Sequence, residues 1–88
     1  MSAPYAVAVP RLTLLSRPGC HLCDEARAVV EDVLTGFPGV RFEERSIVGD
    51  PELEREYAEE IPVVLIDDRV HTIWRVDRAR LVTALERA

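Results

Sequence analysis

The chain has 88 residues, 48% of them apolar, enough for one small hydrophobic core but not two, and too apolar for wholesale disorder. Its formal net charge is −5 and its basic residues are all arginine, which argues against nucleic acid or an anionic membrane as the main partner, since both need a basic face. No apolar run approaches the roughly 18 residues of a membrane span. The opening MSAPYAVAVPRLTLL lacks a basic leader and is interrupted by Pro10 and Arg11, so a cleaved signal peptide is not expected; the expected location is cytoplasmic, where thiols are kept reduced.

The pattern predicts a single domain over residues 1–88, its first ten residues forming a loosely ordered or peripheral segment. RLTLL (Arg11 to Leu15), bounded by Pro10 and by the RPG at Arg17 to Gly19, predicts a buried strand. From Cys20 onward Leu22, Ala26, Val29, Val30, Val33, Leu34 and Phe37 recur at helical spacing. Asp24, Arg27, Glu31 and Asp32 take the opposite face, with Arg27 and Glu31 set for an i,i+4 pair, and Gly36 and Pro38 stop the helix.

VRFEERSIV (Val40 to Val48) predicts a polar strand at a sheet edge. Asp50 and Pro51 are a helix cap and a first-turn proline. The short superficial helix that follows is anchored by Leu53 and Tyr57, with Glu52, Glu54, Glu56, Glu59 and Glu60 in solvent, and Pro62 ends it. VVLID (Val63 to Asp67) has the continuous apolar character of a central strand. Asp68 and Arg69 turn the chain into an antiparallel VHTIWRV (Val70 to Val76). Asp77 then caps a last helix that turns Leu81, Val82, Ala84 and Leu85 to the core. The order is β-α-β-α-β-β-α.

Both cysteines of the chain, Cys20 and Cys23, fall where the first strand gives way to the first helix. Unpaired N–H groups and the helix dipole favour negative charge at that point, so the Cys20 thiol is expected to have a lowered pKa. Cys23 shares a helical face with Ala26 and Val30 and should point inward. Four settings fit a CxxC pair. A structural staple closing so short a loop would stabilise the fold by only about 2 kcal/mol. Half a zinc site would need further ligands such as His21 or His71, with no second CxxC or CxxH to supply them. Two inert buried thiols are the third setting, and a redox couple with an exposed attacking sulfur and a shielded resolving one is the fourth.

The CxxC at a strand-to-helix junction, the element order and the Ile61-Pro62 ahead of an apolar strand together resemble the thioredoxin superfamily, and within it glutaredoxin-like proteins, over nearly the whole chain from Arg11. The resemblance implies a thioredoxin-like α/β fold with a four-stranded mixed sheet flanked by helices. It implies thiol–disulfide oxidoreductase activity, with Cys20 and Cys23 as the catalytic thiols and a cis Pro62 beside them. Arg17, Gly19, His21 and Ile61 are the candidates for substrate contact. No metal and no tightly bound cofactor is implied; a low-molecular-weight thiol, glutathione or another, would be a co-substrate. The partners would be a disulfide-containing protein or small thiol and a reductant thiol or reductase, and the chain would act as a monomer. A metal or iron–sulfur binding protein and a redox-inert interaction domain are the alternatives.

The sequence also departs from the family. Leu14 stands where thioredoxins carry a buried acid, Gly19 where they have tryptophan, and His21-Leu22 replace the Gly-Pro between the cysteines. Arg17 matches a basic position of glutaredoxins. Their Gly-Gly and following acid, which let backbone approach glutathione, are replaced by Trp74, Arg75, Val76 and Asp77. His71 and Trp74 are expected on the last strand, as packing or surface residues.

Overall fold

A computed structural model describes residues 9–88. Residues 1–8, and with them most of the segment expected to be loose, lie outside the described residues. Pro10, its last member, accepts a hydrogen bond from the Arg41 N–H (3.0 Å). The elements follow the expected order: β1 (Arg11–Ser16), α1 (His21–Leu34), β2 (Arg41–Ser46), α2 (Pro51–Tyr57), β3 (Val63–Ile66), β4 (Arg69–Ile73) and α3 (Arg78–Arg87).

One mixed sheet runs in the order β2-β1-β3-β4, with β1 parallel to β2 and antiparallel to β3, and β3 antiparallel to β4. Along β1 the side chains alternate between faces. Leu12 and Leu14 enter a core cluster with Ala26, Val30 and Val33 of α1 and Leu81 and Leu85 of α3. Leu15 enters a second cluster with Cys23, Ile47, Ile61 and Val63, against which Leu53 and Tyr57 of α2 pack. The fold is thus a thioredoxin-like α/β sheet with α1 and α3 over one face and α2 over the other. Among the described residues no helix is long and apolar enough to cross a membrane.

Local chemistry sets the boundaries. Asp50 caps α2 by accepting from the Leu53 N–H (3.1 Å), with Pro51 in the first turn, and Asp77 caps α3 by accepting from the Arg80 N–H (3.0 Å). Helix α2 buries no residue and ends at Tyr57, short of Pro62, because the chain closes a tighter turn in which the Glu60 N–H donates to the Tyr57 carbonyl (2.8 Å). The hairpin between β3 and β4 turns on Asp67 and Asp68, not on Asp68 and Arg69; both aspartates are left-handed (φ 51° and 69°), the geometry that a two-residue turn between twisted strands requires. Strand β4 accordingly starts at Arg69. It ends at Ile73 rather than Val76, since Trp74 is also left-handed (φ 68°) and leaves the ladder. A register shift opposite Val64 and Leu65 leaves His71 as an extra residue in β4, a bulge that re-aims its side chain.

Candidate active site

The strand-to-helix junction is built around Gly19. Its φ of +73° is a left-handed conformation open to glycine, and it lets the chain reverse after Arg17 and Pro18. Cys20 is thereby left as the N-cap of α1, extended at φ −96° and ψ 111°, one residue ahead of the helix expected to begin with it. Its Sγ accepts from the Cys23 N–H (3.1 Å) and its carbonyl accepts from the Asp24 N–H (3.1 Å). The sulfur therefore does the work that a serine or aspartate oxygen does at other helix starts.

Cys20 and Cys23 are joined as a disulfide, their Cα atoms 5.1 Å apart. The two sulfurs differ in access. Cys23 is fully buried (0% exposed) on the face it shares with Ala26 and Val30, whereas Cys20 is only partly covered. Cys20 packs against the cluster of Leu15, Cys23, Ile47, Ile61 and Val63, which brings the loop before β3 to the disulfide. In that loop the Ile61–Pro62 peptide bond is cis, and both residues are buried.

Other expected site residues are placed as follows. His21 projects into solvent, its Nε2 4.0 Å from a Glu25 carboxylate oxygen. Arg17 is exposed and lines a hollow with Ser16, Pro18, Arg27 and Glu44. His71, the more distant metal-ligand candidate, lines a groove between β4 and α3 with Ala84 and Arg87 rather than facing the cysteines. Burial there, together with Arg80, pushes its imidazole pKa down. Among the described residues no group of three or more His, Cys, Asp or Glu side chains is gathered as for a metal ion. Asp77, the acid that follows the Trp74 segment, is occupied in capping α3.

Two features went unseen in the sequence. One is a polar network under the α1 N-terminus. Glu44 of β2 accepts from Ser16 Oγ (2.7 Å) and from Arg27 Nε and Nη2 (2.6 and 2.7 Å), and Arg27 also donates to Asp24 (2.9 Å). The hydrogen bond from Arg27, and then that from Ser16, holds the Glu44 carboxyl below the usual carboxylate range, against the opposing effect of its partial burial. Arg27 is thus engaged across to the sheet and not with Glu31. The alternation of β2 around Glu44 was the available signal, but pairing it with α1 needs the tertiary fold. The other feature is Trp74. Its N–H donates to the Pro62 carbonyl (2.8 Å) and its indole Nε1–H to the Glu59 carbonyl (3.1 Å), so the ring lies along the loop that leads to Pro62. Arg75 Nη1 approaches Glu25 at 4.0 Å, bringing the end of this segment to the first turns of α1.

A profile described as Glutaredoxin-like domain (DUF836) matches residues 11–86. The chain belongs to this glutaredoxin-like family. Among its relatives, a Glutaredoxin-like protein YDR286C homolog of Dictyostelium discoideum is 30% identical over 80 residues, spanning 85% of this chain and 74% of the relative. The solved structure of protein XcR50 from X. campestris superimposes with a TM-score of 0.72 at 32% identity, covering 88% of this chain and 97% of that one. Mitochondrial thioredoxin 3 from Saccharomyces cerevisiae, at 13% identity, shares the fold with a TM-score of 0.67 over 91% of this chain and 79% of its own. For this glutaredoxin-like chain, the fold and the cysteine pair at disulfide distance are consistent with thiol–disulfide redox chemistry.

Proposed function

We propose that the chain is a cytoplasmic thiol–disulfide oxidoreductase in which Cys20 attacks and Cys23 resolves. The observation that carries this reading is the asymmetry of the pair: Cys20 caps a helix and is only partly covered, whereas Cys23 is sealed in the core. In the reduced protein the Cys20 sulfur would lie among unpaired helix N–H groups, which favour the thiolate. That thiolate attacks one sulfur of a substrate disulfide. The substrate S–S bond breaks, a mixed disulfide with Cys20 forms, and the first substrate sulfur leaves as a thiolate and takes up a proton. The Cys23 thiol then gives up its proton and its sulfur attacks Cys20 Sγ. The mixed disulfide breaks and the second substrate sulfur leaves. Two electrons have passed to the substrate, and a reductant, either two equivalents of a low-molecular-weight thiol or a dithiol reductase, returns the pair to its reduced form.

Ile61 packs in the cluster that Cys20 adjoins, with cis Pro62 buried next to it in sequence, and in this reading Ile61, Gly19, His21 and Arg17 are the candidates for substrate contact around Cys20. Trp74, Arg75 and Val76 stand at the positions where glycines in family members let backbone approach glutathione closely. Glutathione-mixed disulfides are therefore expected to turn over slowly, with another thiol or a protein disulfide preferred. No tightly bound cofactor takes part in this scheme. Cysteine variants test it. Cys20→Ser should abolish reductase turnover and fast alkylation near pH 7, while Cys23→Ser should keep a reactive Cys20 and accumulate mixed disulfides visible by mass spectrometry. Faster alkylation of Cys23 than of Cys20 in the reduced wild type would reverse the assignment, and wild-type thiols inert to every disulfide offered would remove the activity.

A further inference from the structure

Away from the cysteines, β4 and α3 border an open hollow of about 370 Å³, lined by His71, Ala79, Arg80, Thr83, Ala84 and Arg87. That volume falls in the range of small-molecule sites, roughly 300–1,000 Å³. Two local rules bring these residues together. Along α3, Arg80, Thr83, Ala84 and Arg87 stand at i, i+3, i+4 and i+7, a single helical face. On β4, the bulge takes His71 out of the ladder and its ring borders the hollow, partly buried. Every polar side chain here can donate: two guanidinium forks, a hydroxyl and an imidazole N–H. No carboxylate lines the hollow.

The arginines are also without acids of their own. Arg11, Arg27 and Arg78 bond to aspartate or glutamate, whereas among the described residues Arg80 and Arg87 enter no ion pair. Asp77, three residues before Arg80, is committed to the cap of α3. The groove continues towards the β3–β4 hairpin past Asp67, Arg69 and Ala88, and there the Asp67 carboxylate accepts from the Arg11 N–H (3.0 Å). In a chain of net charge −5, this hollow is a local reversal of sign.

We propose that the hollow between β4 and α3 binds a dianionic phosphate group, free or as the ester of a small molecule. Two guanidinium groups match its charge, and each fork can meet two terminal oxygens in parallel. The Thr83 hydroxyl and the His71 imidazole supply the remaining donors. Ala79 and Ala84 leave apolar room for the carbon of an ester. A carboxylate, with one charge and two oxygens, would leave part of this donor set unused.

The test titrates the oxidised full chain with inorganic phosphate, and separately with glycerol phosphate, at about pH 8, where the monoester is dianionic. Ionic strength is held constant, and the imidazole resonances of both histidines are followed by NMR, with solvent-exposed His21 on α1 as the internal control. The His71 signal should shift and saturate while that of His21 stays in place. Bound phosphate should also raise the His71 pKa, by opposing the burial and the Arg80 charge that lower it in the free protein. Arg80→Gln and Arg87→Gln should each weaken binding by about 5- to 12-fold. Arg78→Gln removes the same charge from the same helix, but Arg78 pairs with Asp32 outside the hollow, so this variant should bind as the wild type does. Tighter binding of glycerol phosphate supports the site and makes an ester its ligand; equal affinity supports it and makes the phosphate group alone the feature recognised. A His71 shift that never saturates, one that acetate reproduces, or an equal loss in all three arginine variants overturns the proposal.

Discussion

Gly19 and Trp74 both have a left-handed φ, +73° and +68°, Gly19 directly before Cys20 and Trp74 at the end of β4. At Gly19 an added Cβ would meet nothing within 4 Å, so the cost of a side chain there is that of the backbone alone. Gly19→Ala is therefore expected to destabilise the fold by about 1–2 kcal/mol, and Gly19→Asn by less, since asparagine visits the left-handed region more readily. Chemical denaturation of the two variants checks this ordering; equal losses would mean that the space around Gly19, rather than its torsion, sets the cost. Because Gly19 aims Cys20 at the start of α1, the alanine variant should also slow disulfide exchange more than the asparagine one.

At the scale of elements, α1 is fastened to the sheet by Arg27, Glu44 and Ser16, directly behind the helix end that carries Cys20. The Glu44 pKa is lower in the folded protein than in the unfolded chain. Its ionisation thus stabilises the fold above the ordinary glutamate value, and the contribution is lost as pH falls through the lowered value. Glu44→Gln should cost about 0.5–1 kcal/mol at neutral pH, a small figure because the network is partly open to water, and the gap to wild type should close below about pH 4. His71 gives a second, separate slope. Its folded pKa is also lowered, by burial first and by Arg80 second, so the full stability is present above the unfolded histidine value of about 6.5 and declines as pH falls from there toward the folded value. Urea melts of His71→Gln across pH 5 to 7 (roughly the histidine range) should lack this slope, while the dependence from Glu44, which falls at lower pH, should be unchanged. Neither network was visible in the sequence. Asp50 and Asp77 could be recognised as caps because a cap and its target N–H lie three residues apart. Arg27 and Glu44 are 17 apart and meet only when β2 pairs with β1, and the direction of His71 depends on a bulge that no local pattern announces.

For the molecule as a whole, the element order and the burial of Cys23 were legible because both rest on periodicity, which is local and repeated. The position of Trp74 was not, because it depends on one left-handed residue ending a strand and on bonds to Pro62 and Glu59 across the fold. The two core clusters also differ in weight. The one under α1 and α3 contains Leu12, Leu14, Val30, Leu81 and Leu85, all buried, whereas α2 contributes no buried residue to the other. Leu81→Ala should therefore cost about 2–5 kcal/mol. In hydrogen exchange the α2 amides should exchange well before those of β1 and α1, through an opening that does not unfold the rest. Among the described residues the sheet has two margins with no further strand, β2 and β4. Every residue of β2 is exposed, and Arg41, Glu43 and Arg45 alternate along it around Phe42 and Glu44; β4 is interrupted by its bulge at His71. A charged margin and a kinked one are both poor templates for a further strand. In a crowded solution they guard against polymerisation: the protein should sediment as a single species over a wide concentration range, and replacing Arg41, Glu43 and Arg45 together by valine should turn the β2 margin into a seed for aggregates that grow with concentration.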